Sequence, residues 1–196
     1  MTFDPKRLLI LMSIAAFGFA EEHVRFDPPA AETFPNHQTV SQVTAAASVV
    51  ETDDQARPAF GKLNPYKYGA LPVLVVIHNA GKSAISLERM RAEYTGPNHE
   101  KINDTPAGEL RYLQGARAPS SSGIPRIKKA KQPLAAWEIE GRAFAARILP
   151  PGASASGFFY FQTGHRTGSS LVLSGLRNAQ TGEELLYFEL PLEPVH

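Results

Sequence analysis

A chain of 196 residues with 20 Lys and Arg against 19 Asp and Glu has a formal net charge of +1, and it contains no cysteine. That balance excludes the clearly basic surface of a general nucleic-acid binder. The missing cysteine excludes disulfides, thiolate metal sites and a bacterial lipid anchor on a mature N-terminus.

Residues 1–20 read as an export signal. Lys6 and Arg7 supply a positive start, Leu8 to Phe19 carries no charge, and Gly18 and Ala20 are the small residues a signal peptidase accepts. The apolar run is too short for a bilayer, which needs ~20 residues, and no later stretch is long enough either. Removing residues 1–20 takes away two bases and one acid (Asp4), which brings the net charge to zero. The expected location is the periplasm or the medium. The remaining length suffices for one domain with a real core.

Residues 21–40 contain Pro28, Pro29 and Pro35 and read as an extended N-terminal arm, with the main domain at 41–196. In "VSQVTAAASVV" the residues Val43, Ala45, Ala47 and Val49 share one face, so this segment is predicted as a strand. Thr52 is predicted to cap a helix over 53–60, with Asp53 and Asp54 in its first turn and Pro58 keeping it short. "LPVLVVIHN" at 71–79 is a β-branched run that reads as a strand buried on both faces. After a turn at Asn79–Lys82, "SAISLERMRAEYTG" reads as a second strand with a bulge between Leu87 and Met90. A further turn at 95–98 leads to a weaker strand near 100–103.

Residues 115–133, "GARAPSSSGIPRIKKAKQP", read as a long loop. Residues 134–142 fit either a short helix or a strand entry, and "AFAARIL" alternates Phe144, Ala146 and Ile148 onto one face. "SGFFYFQT", "SSLVLSGL" and "EELLYFELPL" then read as a three-strand meander joined by "GHRTG" and "RNAQTG". In the first strand Phe159 and Phe161 oppose Phe158 and Tyr160, and Tyr187 and Phe188 are expected to extend the same core. Strands every ten to fifteen residues predict a mainly all-β, antiparallel sandwich with one short helix and a long basic loop.

Several motifs invite chemistry. "GASAS" resembles a nucleophile elbow around Ser154, but the second flanking glycine is missing, and aromatic strand residues follow where a helix is required. A turn between strands is the better account. No Gly-Lys-Ser/Thr ending follows these glycines, so they do not form a phosphate cradle. The six histidines (His23, His37, His78, His99, His165, His196) show no metal-ligand spacing, and no cofactor or metal is expected. His78 is expected in a hydrogen-bonded structural role. A dyad of His165 with Glu183 or Glu184 is the remaining hydrolase reading, and nothing in the sequence favours it.

The basic loop is the most distinctive charge feature. Arg111, Arg117, Arg126, Lys128, Lys129 and Lys131 lie between Leu110 and Trp137 with no acid among them. The loop bases, with Trp137, Tyr66 and Tyr68 beside prolines and loops, are the candidate partner-binding residues. The plainer account is a solvated loop kept soluble by its charges.

"YGALPVLVVIHNAGKSAISL" and, later, "LPPGASASGFFYF" resemble uncharacterised bacterial exported proteins with an immunoglobulin-like β-sandwich domain. The resemblance spans roughly residues 43–192. It implies a central strand at Pro72–Asn79 and, at Pro151–Phe161, a turn and strand facing it. It brings no catalytic or ligand-binding residue. The expected function is therefore a non-enzymatic accessory or protein-interaction module of the cell envelope, meeting an envelope protein or an anionic polymer. The alternative is an envelope glycan-binding module using the basic loop and the loop aromatics.

Overall fold

The computed structural model describes residues 26–113, 133–185 and 187–193. The expected export signal and all but the last residue of the basic loop lie outside them.

The fold grows from two strands that are apolar on both sides. β2 (Val43–Val49) and β3 (Leu71–Asn79) pair antiparallel, with β1 (His37–Val40) on one side and β8 (Ser154–Phe161) on the other, giving a sheet in the order β1-β2-β3-β8. Alternation sends Val43, Ala45, Ala47, Val49, Val73, Val75 and Ile77 into one core. Ala46, Leu74, Val76, Phe158 and Tyr160 enter a second core on the opposite face. The first core is closed by a second antiparallel sheet. Its strands are β5 (Arg91–Thr95), β6 (Lys101–Asn103), β9 (Ser170–Ser174) and β11 (Phe188–Pro191), in the order β11-β9-β5-β6. A small third sheet joins β4 (Ile85–Ser86), β7 (Ile148–Leu149) and β10 (Arg177–Asn178).

Short helical pieces close the second core. They are α1 (Asp53–Phe60), α2 (Trp137–Gly141) and 3-10 turns at Ala31–Thr33, Ala107–Tyr112 and Pro133–Ala135. Ala31, Phe60, Leu110, Leu134 and Ile139 are all buried there. α1 begins as expected. The Thr52 hydroxyl accepts from the Gln55 N–H at 3.2 Å, and the Gln55 side-chain Oε1 accepts from the Thr52 N–H at 3.0 Å. This reciprocal cap satisfies two otherwise orphaned donors. The result is the expected mainly antiparallel β-sandwich, with one sheet forming a middle layer under a helical cover.

Several expectations are corrected. Residues 37–40 of the expected arm form edge strand β1, so the boundary at 40 falls inside the β1–β2 hairpin. Two short α-helices form where one was expected. There is no bulge between Leu87 and Met90; the chain breaks there and passes from the small sheet (β4) to the second sheet (β5). The final third is not a meander. β8 pairs with β3, while β9 pairs with β5 and β11, so "GHRTG" crosses between sheets. β8 therefore lies beside the central strand and does not face it. "AFAARIL" loses its phase: Ile148 is 58% exposed, and Leu149 is buried instead. Tyr187 is exposed while Phe188 enters the core.

Gly152 of "GASAS" and Gly157 just after it have structural explanations. Gly152, at φ +70°, is the third residue of a turn in which the Ala153 N–H donates to the Pro150 carbonyl at 3.2 Å. Residues 142–144 run against the outer edge of β8. There the Phe158 N–H donates to the Arg142 carbonyl at 2.8 Å, and the Phe144 N–H donates to the Phe158 carbonyl at 3.0 Å. A Cβ on Gly157 would stand 2.4 Å from the Phe144 Cα, so only glycine admits this approach.

Candidate functional site

At the helical cover the chain enters and leaves the basic segment, expected as a loop. Leu110 lies just before it and Leu134 just after it. Both are buried in the same core, and the turns that carry them touch. Two aromatic side chains stand at these anchor points. Tyr112 is 73% exposed and Trp137 is 48% exposed. Arg111 pairs with Glu140 of α2, which ties the two anchors together. The Arg142 guanidinium sits 5.9 Å from the Trp137 ring centroid and 5.7 Å from that of Phe26. Trp137 is thus held from behind while part of its ring faces solvent.

Of the candidate partner-binding residues, Arg117, Arg126, Lys128, Lys129 and Lys131 lie outside the described residues. Tyr66 and Tyr68 sit on a 3-10 turn (Pro65–Tyr68) that leads into β3. The Tyr66 hydroxyl accepts from the His165 N–H at 3.2 Å and its ring packs on the first core, which gives it a structural task. Tyr68 is 38% exposed, so of the three candidate aromatics Tyr68 and Trp137 present open surface and Tyr66 does not. Tyr112 was not singled out in the sequence. Its signal is its place directly after Arg111, the first base of the run, on a short turn buried through Leu110.

The segment carrying His165 is firmly held. The Ser169 hydroxyl donates to the Arg166 carbonyl at 2.6 Å, so the Tyr94 hydroxyl donates to Ser169 across their 2.6 Å contact. Tyr94 also accepts from the Arg166 N–H at 3.1 Å, and the Arg166 side chain pairs with Glu100 at 2.6 Å. Both His165 ring nitrogens are enclosed without a hydrogen-bond partner among the described residues. Glu183 and Glu184 lie at the other end of the molecule. Glu184 pairs with Arg177 at 2.9 Å, and Glu183 shares a cleft with Asn79. His165 belongs with Tyr66 at the Leu71 end of β3, about 26 Å from the Asn79 end by strand rise. No His165–Glu183 dyad forms.

The structure does bring one histidine to the serine of the "GASAS" motif. His78 and Ser154 are directly opposite in the β3–β8 register, and His78 Nδ1 lies 2.9 Å from Ser154 Oγ. A working nucleophile also needs a group that orients the base and donors for an oxyanion. Among the described residues no carboxylate bonds His78, and Ser154 sits within a regular strand. The pair is a cross-strand hydrogen bond, in keeping with the structural role expected for His78.

Charge is otherwise quiet. Hydrogen bonds from Lys67 and Asn64 hold the Asp53 carboxyl below its usual range, and burial pushes the Asp104 carboxyl up. Among the described residues no group of three His, Asp or Glu side chains could hold a metal ion. No helix among them is long and apolar enough to cross a membrane.

No protein family matches the chain, and no curated protein matches it. Solved structures resemble it distantly. The yjhA protein of Bacillus subtilis has a TM-score of 0.43 at 8% identity, over 82% of this chain and 98% of that one. A chain of the archaellum periplasmic stator complex of FlaF and FlaG from Sulfolobus acidocaldarius has 0.33 at 13%, over 77% and 91%. The secreted protein MPT63 of Mycobacterium tuberculosis has 0.32 at 11%, over 78% and 91%. Likeness at this level assigns no activity, partner or location to this chain.

Proposed function

We propose that the protein is an exported, non-enzymatic module of the cell envelope that meets an acidic protein partner through its basic loop. Export is supported by the charged start, uncharged run and small residues of positions 1–20. The observation that carries the interaction reading is the pairing of the loop's two anchors. Buried Leu110 and Leu134 bring them together, with the exposed rings of Tyr112 and Trp137 beside them. Five bases without an acid span the gap between those anchors. An acidic partner would gain long-range attraction from the bases and desolvated contact from the rings.

The test is capture of binding proteins from envelope extract by the protein lacking residues 1–20. It is compared with a variant whose residues 115–132 are replaced by Gly and Ser at equal length. An acidic protein should be retained by the parent at low salt, released as salt rises, and lost with the replacement. Equal capture by parent and replacement would overturn the proposal. The same pair of proteins should show no difference in binding to purified envelope polysaccharides. A loop-dependent polysaccharide signal would favour the glycan reading instead.

A further inference from the structure

At the Asn79 end of the sandwich three loops surround an open cleft of about 540 Å³. Its floor is fixed by Asn79, which is fully buried. The Asn79 Nδ2 donates to the Ser83 carbonyl at 2.9 Å and the Leu149 carbonyl at 3.1 Å, and its Oδ1 accepts from the Gly81 N–H at 3.0 Å. The walls carry Ser41 and Gln42, Lys82 and Ser83, and Asn178 and Glu183. Unlike most small-molecule pockets, this one is lined mainly by polar groups.

Two features set the cleft apart from an ordinary surface hollow. Ser41 and Gln42 join β1 to β2 with φ +49° and +64°, a pair of left-handed residues that this kind of hairpin normally gives to Asn and Gly. Glycine would relieve that strain and would also remove the Gln42 side chain from the cleft wall, so the sequence keeps a strained turn that presents polar groups. Secondly, the lining holds one cation, Lys82, and two carboxylates, Glu183 and Glu184; Glu184 is spent on Arg177, whereas Lys82 and Glu183 are not ion-paired among the described residues.

We propose that this cleft binds a short zwitterionic peptide. Its terminal carboxylate would meet the Lys82 ammonium and its terminal ammonium the Glu183 carboxylate. The Gln42 and Asn178 side-chain amides would serve the peptide groups between them. The volume suits a ligand longer than a single amino acid. The cleft shares no residue with the surface around Trp137, so the proposal does not rest on the basic loop.

Trialanine is the probe, titrated at low salt into isotope-labelled protein while amide resonances are followed by NMR. Saturable shifts are expected at Gln42, Lys82 and Asn178, and Lys82→Met and Glu183→Gln should each weaken binding at least about threefold. N-acetyl-trialanine amide, which lacks both charges, should bind more weakly than free trialanine, and so should alanine alone. The comparison of ligands on the unchanged protein keeps the test independent of any effect of the variants on folding. Absence of saturable shifts, equal binding of the blocked and free tripeptides, or binding of alanine as tight as that of trialanine would overturn the proposal.

Discussion

At the scale of single residues, the second core is held by Tyr160 as much as by its aliphatic neighbours. Its ring is buried against Phe60, and its hydroxyl donates to the Ile139 carbonyl at 2.8 Å, binding α2 to the middle sheet. Burial pushes the phenol well above its ordinary value of 10.0. The sign of the pH effect follows from this. Below about pH 10 the phenol is protonated in both folded and unfolded chains, and the stabilisation is fully present. Above it the unfolded chain ionises and the folded one does not, so stability falls by up to about 1.4 kcal/mol per pH unit. Tyr160→Phe leaves the Ile139 carbonyl unsatisfied and should cost about 1–2 kcal/mol at pH 8. It also removes the site that ionises. The gap between variant and parent, measured by denaturant unfolding, should therefore narrow between pH 9 and pH 11. A gap that stays constant over that range would count against the buried, protonated phenol.

At the scale of elements, what was legible in the sequence was what local chemistry decides. The Thr52 cap, the strand phases of β2 and β8, and the two-sided burial of β3 follow from periodicity and capping, and they formed as expected. What was missed depends on partners distant in the chain. "SLERM" has the pattern of a bulge, yet Leu87 closes a bond to Arg147 and Met90 turns the chain into another sheet. "GHRTG" has the glycines of a hairpin, yet Tyr66 and Tyr94 fix it as a crossing between sheets. No sequence signal marked the cleft, because the sequence places Gln42, Lys82 and Glu183 far apart. The β1–β2 turn offers an element-scale prediction. Left-handed backbone at a non-glycine residue costs roughly 1 kcal/mol. Replacing Ser41–Gln42 by Asn-Gly should then stabilise the protein by about 1–2 kcal/mol in denaturant unfolding. No gain would mean that Gln42 side-chain contacts offset the strain.

At the scale of the whole molecule, the two cores share a floor. β2, β3 and β8 contribute alternate residues to each, so neither core can lose its packing without exposing the backs of the same strands. The helical cover contains no run longer than α1, and helices this short are marginal alone. Its order comes from packing on Leu74, Val76, Phe158 and Tyr160. The protein should therefore unfold in one transition despite having three layers. Phe60, whose ring centroid lies 4.7 Å from that of Phe158, reports on the cover. Phe161, 5.9 Å from the Tyr94 ring, reports on the space between the sheets. Phe60→Ala and Phe161→Ala should each cost about 3–5 kcal/mol. Both should shift the far-ultraviolet circular dichroism and Trp137 fluorescence transitions together, although Trp137 sits only on the cover. If Phe60→Ala moved the fluorescence transition and left the β-sheet signal in place, the cover would be a separately unfolding unit. The anchors of the basic loop would then be free to part while the sandwich remained intact.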